Sequence, residues 1–215
     1  MSANVSYSVH RASVARALCK DGIVRVDLLR GFPYTSEGRG PLYCNCRRIQ
    51  SLPTFQRLIV ATFTSHIQGY KDRGECDAIA GVQTGAIPIS VLVADRLRLP
   101  HCGVRKDPKD TSWIDGIPPE GKKVFLIEDV WNFGRSVRKA RERLLAEGAT
   151  VVGCGVVLTY PNSPDPHPFE NLFALSSLDD LEEHLVVSGQ LSVQDWDRVR
   201  AWRDDRSTWA PTTTY

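Results

Sequence analysis

The sequence predicts an α/β protein built on a central, mostly parallel sheet flanked by helices, and three observations carry that prediction. Short apolar runs alternate with longer segments whose apolar residues recur at helical spacing. Two junctions between such runs, Gln83-Thr84-Gly85 and Gly134-Arg135-Ser136, have the small and polar character of turns at the carboxyl ends of parallel strands. The chain has 215 residues, 42% of them apolar and 24% charged, enough for one domain with a small lobe.

The elements follow in order. Val9, Ala12, Ala15, Leu18 and Cys19 mark a first helix. Pro53 opens a second, with Phe55, Leu58, Ile59, Thr62 and Phe63 on one face. CDAIAG (76–81) is a short apolar run ending at glycine, as a buried parallel strand would. Ala86 to Leu97 has helical length, HCGVRK (101–106) and KKVFLIED (122–129) are strands, and Ser136 to Glu147 is an amphipathic helix closed by Gly148. Thr150 to Tyr160 returns as a β-branched strand, completing a doubly wound pattern. Four prolines in PNSPDPHPF (161–169) require an irregular connection. Two helices are then expected, Leu178 to Val187 and Ser192 to Arg203, the latter capped by Ser192, before a frayed tail ending APTTTY.

Composition excludes several classes of function. A formal charge of +2 argues against a broadly basic nucleic-acid binder, although a few placed cations suffice for a small anion. The longest apolar stretches run to about eight residues, against the roughly 20 that cross a bilayer, so no membrane span is expected. The first twenty residues lack a continuous apolar core and do not have the form of a secretory signal. Six cysteines at 19, 44, 46, 76, 102 and 154 form no CxxC pair, and the five histidines are dispersed, which points to a reducing, cytoplasmic setting and away from a metal cluster.

The chemistry concentrates in the middle third. VFLIEDVWNFGRS (124–136) is an apolar strand that ends in Glu128 and Asp129 and then turns through Gly134 into a helix that begins near Ser136. Adjacent carboxylates at a strand end accept from a vicinal diol, and turn amides at a helix start favour a phosphate, a combination that describes a ribose 5-phosphate. The alternative is an ordinary turn in which both acids are merely solvated. Gln83, Thr84 and Gly85 form a second anion-receptive turn, and VRKDPKD (104–110) sets Arg105, Lys106 and Lys109 just beyond a strand. That cluster is either a phosphate-binding group or a solvated charged loop.

These segments resemble the type I phosphoribosyltransferases, with the orotate-specific branch the most similar. VFLIEDVWNFGRS is similar to the motif that binds phosphoribosyl pyrophosphate (PRPP), DAIAGVQTGAIPISVLVADRLRLP to the pyrophosphate loop and its helix, and VRKDPKD to the RKExKxH catalytic stretch. GFPYTSEGRGPLYCNCRRI resembles the segment beside the base pocket, and NLFALSSLDDLEEHL with LSVQDWDRVRAW resembles the closing helices. The resemblance implies a hood and base-pocket segment at 1–50, a PRPP-binding core at 51–165, and a helical extension at 166–215 packing on both. It also implies transfer of ribose 5-phosphate from PRPP to orotate, giving orotidine 5-monophosphate and pyrophosphate in pyrimidine nucleotide biosynthesis. Mg2+ would be bound through PRPP, with Asp129 the candidate protein ligand, and the enzyme would be a homodimer whose cationic loop serves the neighbouring site.

The roles implied are catalytic for Asp129, Lys109 and Arg105. Substrate binding falls to Lys106, Glu128, Asn132, Gly134, Arg135, Ser136, Gln83, Thr84, Gly85, Tyr43 and Arg47. The chain departs from the family pattern at Asp110, Thr111, Ser112 and Trp113, where a histidine is usual, and at Trp131 and Phe133 in the PRPP motif. Thr35-Ser36-Glu37 lacks the usual lysine, and Asn45 stands where aspartate is common. Two other readings therefore stay open: a phosphoribosyltransferase with a different acceptor, and a non-catalytic binder of PRPP or a nucleotide.

Overall fold

The computed structural model describes residues 5–20, 22–34, 38–109, 112–132, 134–160, 168–205 and 209. Thr35-Ser36-Glu37, Asp110, Thr111, Phe133, most of the proline-rich connection and nearly all of the tail lie outside the described residues, as does the Lys109 side chain. A seven-stranded sheet organises the rest. Its strands are β1 (Val5–Tyr7), β6 (Ala78–Val82), β7 (His101–Lys109), β8 (Ser112–Asp115), β9 (Lys123–Trp131), β10 (Thr150–Thr159) and β11 (Leu172–Ser177), in the order β1-β11-β10-β9-β6-β7-β8. Every neighbouring pair is parallel except β7 and β8. Two small ribbons, β2 (Val24–Val26) with β5 (Leu42–Cys44) and β3 (Phe32–Tyr34) with β4 (Gly38–Gly40), precede a 3-10 turn at Cys46–Ser51.

Six helices complete the described chain: α1 (Arg11–Lys20), α2 (Pro53–Asp72), α3 (Ile87–Leu97), α4 (Arg135–Ala146), α5 (Leu178–Val187) and α6 (Val193–Asp204). The predicted helices are present within about two residues of their expected ends, although Val9, counted on the first of them, precedes α1 and is exposed. One expectation is corrected. LFALSS, grouped above with the closing helices, is strand β11, and all six of its residues are buried. A short run of four apolar residues followed by two serines has no periodicity to separate strand from helix. Hairpin strand β8 also falls between the strands expected at 101–106 and 122–129, where no element was assigned.

The centre of the sheet explains how the site is aimed. Phe125 and Ile127 pack into the core with α1, α2 and α3, whereas Val124 and Leu126 pack on the opposite face with Val137, Ala140 and Leu144 of α4. Side chains alternate along a strand, so Glu128 continues the α4 face and Asp129 the α3 face. The chain leaves β9 through α4 to β10 on one side and leaves β6 through α3 to β7 on the other. The carboxyl ends of β6 and β9 therefore meet at the point where the winding reverses, where an open sheet leaves a crevice.

Caps fix the outer helices. Ser177 and Asp180 form a capping box at α5, and the buried Asp180 carboxylate also takes the Arg11 guanidinium at 3.0 Å, tying the C-terminal helices to α1. Ser192 caps α6, as expected, and Trp196, Val199 and Trp202 face the core. Among the described residues, no helix is long and apolar enough to cross a membrane.

Candidate active site

The β6 and β9 ends open into a cleft of 650 Å3. Its lining divides by chemistry. Arg47, Lys106, Arg135, Lys139 and Arg143 supply cations, Asn132, Gly134 and Ser136 supply the turn before α4, and Pro33, Tyr34 and Tyr43 form a ring-bearing wall. Val82 and Val130 close the floor between them.

The turn into α4 is built around Gly134. Its φ of +70° is left-handed, and a Cβ there would come within 2.7 Å of the Trp131 ring. Trp131 is 2% exposed, packs edge-on against Phe169 with ring centroids 6.2 Å apart, and carries the Arg138 guanidinium over its face. Trp131, one of the departures from the family pattern, therefore lies beneath the turn, in the core. The amides above it belong to the first turn of α4, the end of a helix that attracts anions.

Glu128 and Asp129 have different surroundings. Glu128 is 4% exposed. Burial, reinforced by the neighbouring Asp129 charge, pushes its carboxyl well above the ordinary range, with hydrogen bonds from the Asp129 amide and Ser136 opposing the rise. Its Oε1 accepts that amide at 2.9 Å. Asp129 is less buried, and its Oδ1 accepts the Val130 amide at 2.8 Å. Its carboxylate abuts Gly85, where a Cβ would lie 2.6 Å from Asp129 Cγ. The glycine of the β6–α3 turn is thus what lets the acid of the β9 end reach the crevice. Gln83 and Thr84, joined by a cis peptide, occupy the same turn.

Arg105 is placed apart from the cleft lining. Its guanidinium pairs with Asp115 on β8, which also accepts from the Gln83 amide. Lys106, next in sequence, lines the cleft of its own chain. The structure therefore brings together Tyr43, Arg47, Lys106, Asn132, Gly134, Arg135 and Ser136, sets Asp129, Gly85, Thr84 and Gln83 at the adjoining turn, and buries Glu128 beneath them. Lys139 and Arg143 were missed by the sequence reading. The signal was available, because Arg135, Lys139 and Arg143 recur at intervals of four and so share one face of α4.

The donor set bears on a divalent ion. Among the described residues, no group of three histidine, cysteine, aspartate or glutamate side chains could hold a metal. What the chain offers a divalent ion is therefore one half-buried carboxylate, that of Asp129, so an ion held here would take its remaining ligands from a bound molecule or from water.

Comparisons with known proteins agree with this geometry. Residues 48–178 match the family model described as a phosphoribosyl transferase domain. An orotate phosphoribosyltransferase of Bacteroides thetaiotaomicron is 32% identical over 202 residues, covering 91% of this chain and 94% of the relative. One from Coxiella burnetii is 30% identical over 205 residues, covering 92% and 97%. Among solved structures, the orotate phosphoribosyltransferase of Aeropyrum pernix superposes with a TM-score of 0.63 at 26% identity over 80% of this chain and 98% of that one. Leishmania donovani UMP synthase superposes at 0.75 and 23% identity, over 89% of this chain and 42% of its own length, and so speaks to the fold alone. With the matched domain spanning β6 through β11 and the site residues lying at its switch point, the chain belongs to the type I phosphoribosyltransferase family.

Proposed function

We propose that the chain transfers the ribose 5-phosphate of PRPP to orotate, releasing pyrophosphate and giving orotidine 5-monophosphate. The observation that carries the reading is the cleft itself, with five cations and an aromatic wall around 650 Å3 at the switch point and the Asp129 carboxylate at the adjoining turn. The turn at Asn132, Gly134 and Ser136 receives the 5-phosphate, and Asp129 accepts from the ribose hydroxyls. Lys106 with its neighbouring cations faces the pyrophosphate. Tyr34, Tyr43 and Pro33 offer flat apolar surface to a planar acceptor, and Arg47 of the same lining is the cation for its carboxylate.

The reaction asks little covalent chemistry of the protein. A ring nitrogen of the acceptor bonds to C1 of the ribose while the C1–O bond breaks and its electron pair leaves with pyrophosphate. The residues work by orientation and by stabilising the charge that develops on the leaving group. When bound, Mg2+ supplies further charge neutralisation on the pyrophosphate and ribose oxygens. Identity near 31% to orotate enzymes and the aromatic wall support orotate over other acceptors. The test is pyrophosphate release from PRPP and Mg2+ with orotate, adenine, hypoxanthine and uracil supplied separately. Turnover with orotate alone is expected. Turnover only with another base would replace the acceptor, and PRPP binding without turnover would favour a non-catalytic binder.

A further inference from the structure

The β7–β8 hairpin carries Arg105 and Lys106 but does not hold them by its own ladder. Pairing runs through Gly103 with Asp115 and Val104 with Ile114, then resumes only at Lys109 with Ser112. Strand β6 pairs with β7 only as far as Val104. Backbone carbonyls between need donors from elsewhere. Arg143 supplies them from α4: one guanidinium nitrogen donates to the Arg105 carbonyl and the other to the Lys106 carbonyl, the latter at 3.0 Å. The face of the same guanidinium lies 3.7 Å from the centroid of the Trp113 ring on β8. Arginine suits this place because its planar fork reaches two adjacent carbonyls while its face stays free for an aromatic ring.

We propose that Arg143 is a positioning residue whose guanidinium, stacked on Trp113 and bonded to two successive β7 carbonyls, clamps the hairpin to α4 and holds Lys106 over the anion cleft. The inference rests on the reading of that cleft as a site for PRPP and its pyrophosphate. A second tie restrains the hairpin from the other side, since Asp115 joins Arg105 to Gln83 of the β6–α3 turn. The family resemblance implies a loop that swings over a neighbouring site. In this chain the segment carrying Lys106 is instead pinned to the helix that begins at the phosphate turn, so binding at one end of α4 and cation placement at the other share one rigid element.

Trp113→Leu is the decisive variant, because it breaks the stack and leaves every cation in place. Two readouts are taken on the full chain: amide hydrogen exchange over residues 103–109 without ligand, and affinity for inorganic pyrophosphate. Exchange over 103–109 should quicken and pyrophosphate should bind about fivefold to thirtyfold more weakly, the factor that loss of one partly desolvated cation–π contact gives. In turnover, KM for PRPP should rise by a similar factor while kcat stays within about threefold, the pattern of lost binding rather than lost chemistry. Trp113→Phe should restore both readouts, and Arg143→Lys, which keeps charge but loses the fork, should behave like Trp113→Leu. Unchanged exchange would overturn the clamp, and faster exchange with unchanged pyrophosphate affinity would overturn its positioning role. A wild-type chain that binds pyrophosphate but not PRPP would sink the proposed function and not the clamp.

Discussion

Replacing Gly85 by alanine tests whether the β6 and β9 ends work as one site. The position does not need glycine for its backbone, since its φ is not left-handed. What it lacks is room: the new methyl would lie 2.6 Å from Asp129 Cγ and 3.2 Å from Asp129 Cβ, where ordinary contacts begin near 3.4 Å. The carboxylate must retreat by about 1 Å, a misplacement that elsewhere costs roughly a hundredfold in rate. Loss of one charged hydrogen bond to the ribose corresponds to about 1.5–3 kcal/mol, or some tenfold to a hundredfold in affinity. Calorimetric titration of PRPP with Mg2+ present, beside a thermal melt of the free protein, separates ligand loss from misfolding. Asp129→Asn should weaken PRPP in the same direction. Wild-type affinity in Gly85→Ala with an intact melt would show that Asp129 does not touch the ligand, and the reasoning would fail.

Further predictions concern the buried acid and the phosphate turn. Because burial raises the Glu128 carboxyl in the folded state, folding takes up a proton, and stability should fall as pH rises from about 4.5 toward the raised value. Glu128→Gln should flatten that slope and raise the melting temperature at neutral pH; an unchanged pH profile would contradict the buried assignment. Gly134→Ala would meet both the left-handed φ and the Trp131 ring, so it should cost about 1–3 kcal/mol, read by denaturant unfolding, and weaken PRPP as well. A variant as stable as the parent would show that the turn does not need glycine.

Legibility in the sequence followed local physics. Strands β6 and β9 and helices α3 and α4 could be placed because each change of period is punctuated by glycine or by the change of polarity at Glu128. Helix α6 could be placed from Ser192 and the spacing of Trp196, Val199 and Trp202. Strand β11 was hidden because LFALSS alternates in nothing. Ribbons of three residues, such as β2 and β5, carry too few positions for any period. In the site, residues inside a motif were found, Tyr43, Arg47 and Lys106 among them, whereas Lys139 and Arg143, which lie beyond the motif on α4, were not. Nothing in VRKDPKD indicates that Arg105 turns to Asp115 while Lys106 faces the cleft, because that choice depends on the hairpin register. The stripe of Arg135, Lys139 and Arg143 was written in the spacing, but an amphipathic helix normally turns its cations to solvent, and only the fold shows that this face borders the cleft and the β7–β8 hairpin.

The central claim is that the cleft between β6, β9 and α4 is a PRPP site. Its most direct test is a calorimetric titration of the full chain with PRPP and Mg2+, repeated with Lys139→Ala and Asp129→Asn. The account predicts one saturable site per chain, weakened in both variants. Absence of binding by the wild-type chain, or binding indifferent to both substitutions, would contradict it.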